Sequence, residues 1–321
     1  MRKLSLVTAL LGSLSAAEVR AGHAAIVVAS DGSGQFQTVQ AAIDSIPDGN
    51  AESRLVVVKP GHYREQVVIN SRKPFITLRG VDPDARKTVL SFDRYATVED
   101  PKAPGKRVGI FGTESVSIEA NDFTAENITF ENSAGRLAPA MALRATGDKL
   151  IFRNCRFLSW QDTVCLVGHR MYFRDCYFEG RVDFIIGHAT AVFEKCHLHA
   201  TDGGVIAAPS TSAERPFGLV FLKCRVTCKE DRSYLAAPWQ PGAAAAFIEC
   251  ELGENLWPEG WTEWRGAEHH KTARFVEYKN TGPGAVVHRR PSWTRQLTEA
   301  EAKNHTVQNI LRGPDQWDPT R

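Results

Sequence analysis

The sequence predicts an all-β chain wound as a right-handed, single-stranded parallel β-helix with short capping helices, and three observations carry that expectation. First, the segments IFRNCRF, YFRDCYF, VFEKCHL, VFLKCRV and AFIECEL repeat one pattern: an apolar pair, two mostly polar residues, a cysteine, a polar residue and an apolar one. Second, their cysteines fall at 155, 176, 196, 224 and 250, steps of 21, 20, 28 and 26 residues, and FTAENITF puts Ile128 in the same column 27 residues before Cys155. A period in the twenties, with one strand-like segment per repeat and no helix between, is the mark of a solenoid. Third, the strand residues are Phe, Ile, Val and Cys rather than the leucines of a leucine-rich repeat. Coils stacked one strand spacing apart, about 4.8 Å, fit that pattern better.

The chain begins with Arg2 and Lys3, an apolar run over residues 4–16 (LSLVTALLGSLSA) and small residues at Ala17 and Ala21. This reads as a signal peptide over residues 1–21, leaving a β-helix domain over 22–321 and an exported protein, extracellular or periplasmic. No later run reaches the ~18 apolar residues of a membrane span. The formal charge of +2 falls to about zero if cleavage removes Arg2, Lys3 and Arg20 together with Glu18. The chain thus has no basic field to attract nucleic acid, and an acidic polymer would be held by local groups.

Val39, Ile43 and Ile46 lie at helical spacing before Pro47, a short amphipathic helix suited to covering the first coil. Near the other end, Thr298 with Glu301 forms a capping-box signature for a helix to about Leu311. Between these caps, the repeated cysteines read as an interior ladder of small apolar side chains. Were any bridge to form, Cys155 and Cys176 would be the pair within reach. No CxxC occurs, and Cys224 and Cys228 lack matching histidines, so a zinc site is not expected. A capped solenoid has no obligatory partner surface and is expected to be a monomer.

Asp162 lies seven residues after Cys155, and Asp183 seven after Cys176. The two carboxylates therefore occupy equivalent positions on adjacent coils, with backbones about 5 Å apart. Two carboxylates that close cannot both ionise cheaply, so the pair should divide into acid and base. Gln161 adds an amide donor beside Asp162, and Asp183 sits in RVDFIIG, where apolar neighbours would desolvate it.

The stretches DGSGQFQTVQAAIDSIP (31–47), GHYRE (61–65), NITFENSAG (127–135), QDT (161–163), DFIIG (183–187) and PEGWTEW (258–264), in this order, resemble the pectin methylesterases, a β-helical esterase family. The resemblance runs from roughly Val28 to Trp317. It implies de-esterification of methyl-esterified pectin or a related polysaccharide without a cofactor or metal. By that resemblance Asp183 is the nucleophile, Asp162 the acid and base, Gln161 an oxyanion donor, and Trp239 a stacking platform for a sugar ring. Two family side chains are missing: Pro139 stands where an oxyanion glutamine is expected, and Ala237, in LAAPW, where an arginine holds the nucleophile. Loss of one oxyanion donor costs about two to three powers of ten in rate. Arg181, two residues before Asp183, is on a strand reading the same-face candidate to replace that arginine. His188 is a weaker candidate.

Three functions are therefore compared: an esterase with reduced or altered activity, a catalytically impaired β-helix that binds acidic polysaccharide, and a glycoside hydrolase or lyase built on a similar coil. Paired carboxylates at this spacing also suit retaining glycosidases, but QDT and DFIIG favour the esterase.

Overall fold

The computed structural model describes residues 24–321; the expected signal peptide over 1–21 lies outside the described residues. The chain winds through three sheets in rotation. One has eleven strands from Ile26–Val28 to Arg295–Gln296, one has eight from Gly61–Arg64 to Glu251–Leu252, and one has seven from Val67–Ile69 to Ser233–Ala236. Every strand pair in them is parallel, and each strand joins its counterpart one coil away. This is the right-handed parallel β-helix that the repeat predicts.

The repeat's chemistry explains the coil. In each copy the residue before the cysteine column takes a left-handed backbone conformation: Asn127, Asn154, Asp175, Lys195, Lys223 and Glu249 have φ of 59, 49, 53, 54, 53 and 53°. One such residue bends the strand of the eleven-stranded sheet into that of the eight-stranded sheet. Asn and Asp tolerate this region because their short polar side chains bond locally, as when Asn154 donates to the Oδ1 of Asn127 at 2.8 Å. The next residue, Ile128 or a cysteine, then points inward. Cys155, Cys176, Cys196, Cys224 and Cys250 are all buried free thiols, and each Sγ donates to a backbone carbonyl, as Cys224 does to Phe193 at 3.2 Å.

Phenylalanines fill the interior in two files. Phe152, Phe173, Phe193, Phe221 and Phe247 stack with successive centroid distances of 4.6, 4.8, 4.6 and 4.3 Å. Phe130, Phe157 and Phe178 stack at 5.2 and 4.8 Å. The two files meet edge to face, Phe173 against Phe178 at 5.5 Å. In-register parallel strands put identical residues one spacing apart, which is the separation that offset rings favour.

The helix Val39–Asp44, capped by Thr38, buries Val39, Ala42 and Ile43 against the first coils as expected, and Ile46 is buried just beyond its end. The C-terminal segment differs from expectation. The Thr298–Glu301 capping box is present, but the helix ends at Ala302, and a second one, Val307–Leu311, starts on its own cap, Thr306. Nor does this second helix sit across the last coil. Val307, Ile310 and Leu311 pack with Tyr172, Val192 and Val220 on the outer face of the eleven-stranded sheet. That sheet exposes an apolar stripe of its own, and burying it outweighs continuing one short helix.

Candidate active site

The turn from the eight-stranded to the seven-stranded sheet carries the paired aspartates. Gln161 bridges to Val182 in parallel register, so Asp162 stands beside Asp183 one coil on, as the spacing from the cysteine column requires. Both are left-handed, with φ of 59 and 52°. Their backbones are tied across coils by the amide of Asp162 donating to Val182 at 3.3 Å and that of Asp183 donating to Val205 at 2.6 Å. The following strands, Val164–Leu166 and Ile185–Gly187, lock both turns into the sheet.

The cleft over this pair measures about 320 Å³ and is lined by Ile110, Phe111, Gln161, Asp162, Asp183, Ile186, Ala208, Trp239, Trp264 and Arg265. Its floor is the outer face of the seven-stranded sheet, where Met141, Cys165, Ile186 and Ala208 form a small buried cluster under Trp239 and Trp264. This placement explains why Cys165 falls outside the cysteine column: it faces outward beneath the cleft, where burial pushes its thiol up to about 12. Trp239 and Trp264 lie 6.4 Å apart at 41°, forming one wall. A larger groove of about 630 Å³ lies between the C-terminal helices and the eleven-stranded sheet, far from the paired aspartates.

Asp162 and Asp183 are only 7% and 4% exposed. Burial raises Asp162 to about 7, with the neighbouring Asp183 charge adding to the rise and Arg265 opposing it. Burial raises Asp183 to about 6, again opposed by Arg265. Asp183 Oδ1 is buried without a hydrogen-bond partner, and Oδ2 lies 3.9 Å from Arg265 Nη2. A carboxylate poised to bond an incoming atom is left in this state, unsatisfied by its own protein. Ion-pair distance to Arg265 favours the negative charge on Asp183, and burial beside that charge favours the proton on Asp162. Such a pair can deliver a nucleophilic oxygen and a proton to one bound carbonyl group.

The arrangement brings together Gln161, Asp162, Asp183 and Trp239. Arg181 is placed otherwise than expected. Its guanidinium lies 5.3 Å over the Trp160 ring, and the cation in ion-pair range of Asp183 is Arg265. The same-face argument assumed strand alternation, but residues 181–183 link Tyr177–Gly180 to Ile185–Gly187 outside either strand, and the left-handed turn at Asp183 breaks the alternation. His188 is held down by burial and by the nearby Arg215, whose Nη1 donates to its carbonyl, and it does not line the cleft. Pro139 and Ala237 stand as the sequence indicates, Pro139 with its carbonyl accepting from Ala96 and Ala237 buried. Sequence reasoning missed Ile110, Phe111, Trp264 and Arg265. Trp264 closes the PEGWTEW stretch and was legible as a motif; its position over the cleft was not. Among the described residues, no three His, Cys, Asp or Glu converge to hold a metal ion.

The Pectinesterase family model matches residues 25–314. Pectinesterase 31 of Arabidopsis thaliana is 40% identical over 298 residues, covering 91% of this chain and 93% of its own. The pectin methylesterase from carrot superposes with a TM-score of 0.84 at 28% identity, over 92% of this chain and 96% of its own. A pectin methylesterase solved in complex with a hexasaccharide superposes with a TM-score of 0.80 at 27% identity, over 94% of this chain and 100% of its own.

Proposed function

The chain belongs to the pectinesterase family and is a carboxylic ester hydrolase, and from that premise we propose that Asp183 and Asp162 hydrolyse methyl esters of galacturonan by an acyl-enzyme route. The observation that carries the residue assignment is the register of two buried aspartates on adjacent coils, one facing a guanidinium and the other without one in contact.

In this reading an oxygen of ionised Asp183 attacks the ester carbonyl carbon. The carbonyl oxygen takes up the charge, and the Gln161 amide, which makes no hydrogen bond within the described protein and lines the cleft, donates to it. As the tetrahedral centre collapses, protonated Asp162 gives its proton to the methoxy oxygen and methanol leaves, with the acyl group joined to Asp183 as an anhydride. Asp162, now ionised, takes a proton from water as that water attacks the acyl carbon. The hydroxyl bonds to the acyl carbon, Asp183 departs as a carboxylate with Asp162 protonated again, and the released galacturonic acid gives its remaining proton to bulk water. Trp239 and Trp264 form the wall on which sugar rings stack.

Pro139 offers no side-chain donor to the oxyanion, so turnover is expected to fall below that of a site with two amide donors by about two to three powers of ten. The same lack, with Ala237, is what favours the second reading, a coil that binds the polymer without processing it. The basic and apolar start of the chain supports export, and the cover that helix Val39–Asp44 gives the first coils supports a monomer. No described helix is long and apolar enough to cross a membrane.

Methanol release from highly methylated pectin, compared between the wild type and Asp183→Ala, tests the reading. Loss of at least about 10³-fold in the variant is expected for removal of a nucleophile. Equal methanol from both proteins would end the esterase reading and leave polysaccharide binding.

A further inference from the structure

The proposed chemistry needs Asp183 ionised in a cleft whose burial favours the neutral carboxyl. At position 237, where the family resemblance expects an arginine, a methyl group 1% exposed carries no charge. The groups that face Asp183 are few. The preceding coil offers Asp162, whose negative charge would oppose ionisation; the following coil offers Val205 and Ala208. Ile110, Phe111, Ile186, Trp239 and Trp264 are uncharged, and Arg181 is turned onto Trp160. Among the described residues, Arg265 alone brings a cation within 4 Å, its Nη2 3.9 Å from Asp183 Oδ2.

The backbone around Arg265 is built to place that group. Arg265 has φ of 44° and Gly266 φ of 79°, and the amide of Ala267 donates to Trp264 at 2.7 Å, closing a tight turn over residues 264–267. Arg265 carries its guanidinium 5.0 Å over the Trp264 ring, which restricts a long side chain and points it back along the wall of the cleft. The segment leading into the turn is clamped to the solenoid. Trp261 is buried and its Nε1 donates to Glu277 Oε1 at 2.8 Å. Glu277 also pairs with buried Arg290 at 2.6 Å, and Arg290 Nη1 donates to the carbonyl of Pro258 at 2.7 Å. A buried ion pair thus anchors residues 258–261, three residues upstream of the turn.

We propose that Arg265 is the positioning residue for Asp183: from a loop at the mouth of the cleft it keeps the carboxylate ionised and turned toward the substrate, the task that a guanidinium at position 237 would perform from the floor. The proposal deepens the esterase reading and rests on it for its catalytic meaning. Its geometry sets a limit. The Arg265 side chain is 73% exposed and its guanidinium is at ion-pair rather than hydrogen-bond distance, so its hold on Asp183 is screened by salt in a way that a buried arginine's would not be.

The test compares the full chain with Arg265→Ala and Arg265→Lys, both exposed substitutions. Titration of the aspartate carboxyl carbons by ¹³C NMR, with Asp183 assigned by its loss in Asp183→Asn, reads the interaction without requiring turnover. The midpoint of Asp183 is expected to rise by about one unit in Arg265→Ala and by less in Arg265→Lys. In methanol release the acid limb of the pH profile moves up with it, kcat at pH 6 falls about fivefold, and KM changes little. High salt should shift the wild-type midpoint in the same direction and leave Arg265→Ala unmoved. An Asp183 midpoint and acid limb unchanged in Arg265→Ala would overturn the proposal. So would equal shifts in the Ala and Lys variants, since packing on Trp264 rather than charge would then be responsible. Should the wild type release no methanol, the esterase reading fails, while the titration still decides whether Arg265 governs Asp183.

Discussion

At the corner between the eleven- and eight-stranded sheets, Asn127, Asn154, Asp175, Lys195, Lys223 and Glu249 turn the chain through a left-handed residue; at the corner between the eight- and seven-stranded sheets, Asp162 and Asp183 do the same. The backbone device is shared, and the side chains are disposed in opposite ways. At the first corner the turning residue from Asn154 onward is exposed and the next residue is a buried thiol whose Sγ finds a carbonyl. At the second the turning residue is itself buried, and one carboxylate oxygen has no hydrogen-bond partner. The first corner satisfies its polar groups and contributes stability. The second confines two carboxylates whose charge is opposed by burial, and the stacked coils on either side hold them there.

The contrast can be sharpened from both sides. Asp162→Asn keeps the shape but removes the transferable proton, and kcat for methanol release should fall by about 10² to 10⁴; an unchanged rate would strip this corner of its chemistry. Phe173→Ala, in the stack behind the first corner with neighbours at 4.6 and 4.8 Å, should lower unfolding free energy by about 3–5 kcal/mol in urea titrations. The rate per folded molecule should be unaffected.

Asp162→Asn should also stabilise the protein above neutral pH. Because the folded carboxyl is raised to about 7 from 3.8, the folded state holds its proton where the unfolded chain has lost it. That contribution is fully present below about pH 4 and is lost as pH rises through 7. An asparagine escapes the loss, so the variant should gain on the order of 1–3 kcal/mol at pH 8 and nothing near pH 4, by unfolding at the two pH values. The same shifts set the rate profile: Asp183 must be ionised and Asp162 protonated, giving a narrow bell with limbs near 6 and 7 that belong to the pair. A broad plateau from pH 5 to 9 would mean that the two carboxylates are not coupled as described. The smallest effect belongs to the first corner again. Lys195→Asn, at φ 54°, should raise stability by on the order of 0.5–1 kcal/mol, because asparagine tolerates the left-handed region better.

Much of this molecule is legible before folding, and the reason is its periodicity. The cysteine column sets the coil step, and a fixed offset from it brings Asp162 and Asp183 into register without any knowledge of the third dimension. Gln161 and Trp239 were found through their motifs and do line the cleft. The C-terminal capping box was read correctly as a start, but not where its helix would stop or which face it would cover, because that depends on the exposed stripe of a sheet assembled from distant coils. Arg181 illustrates the limit of local rules: alternation holds along a strand and ends at the first left-handed residue.

The solenoid, the register of its two aspartates and the lack of two family side chains are written along the chain, since each is a matter of spacing or identity. Which cation answers Asp183 is set by folding. Arg265 lies 82 residues away on a loop anchored by the buried Glu277–Arg290 pair. No periodicity links that loop to the turn it faces, and electrostatics depends on distance through space rather than along the chain.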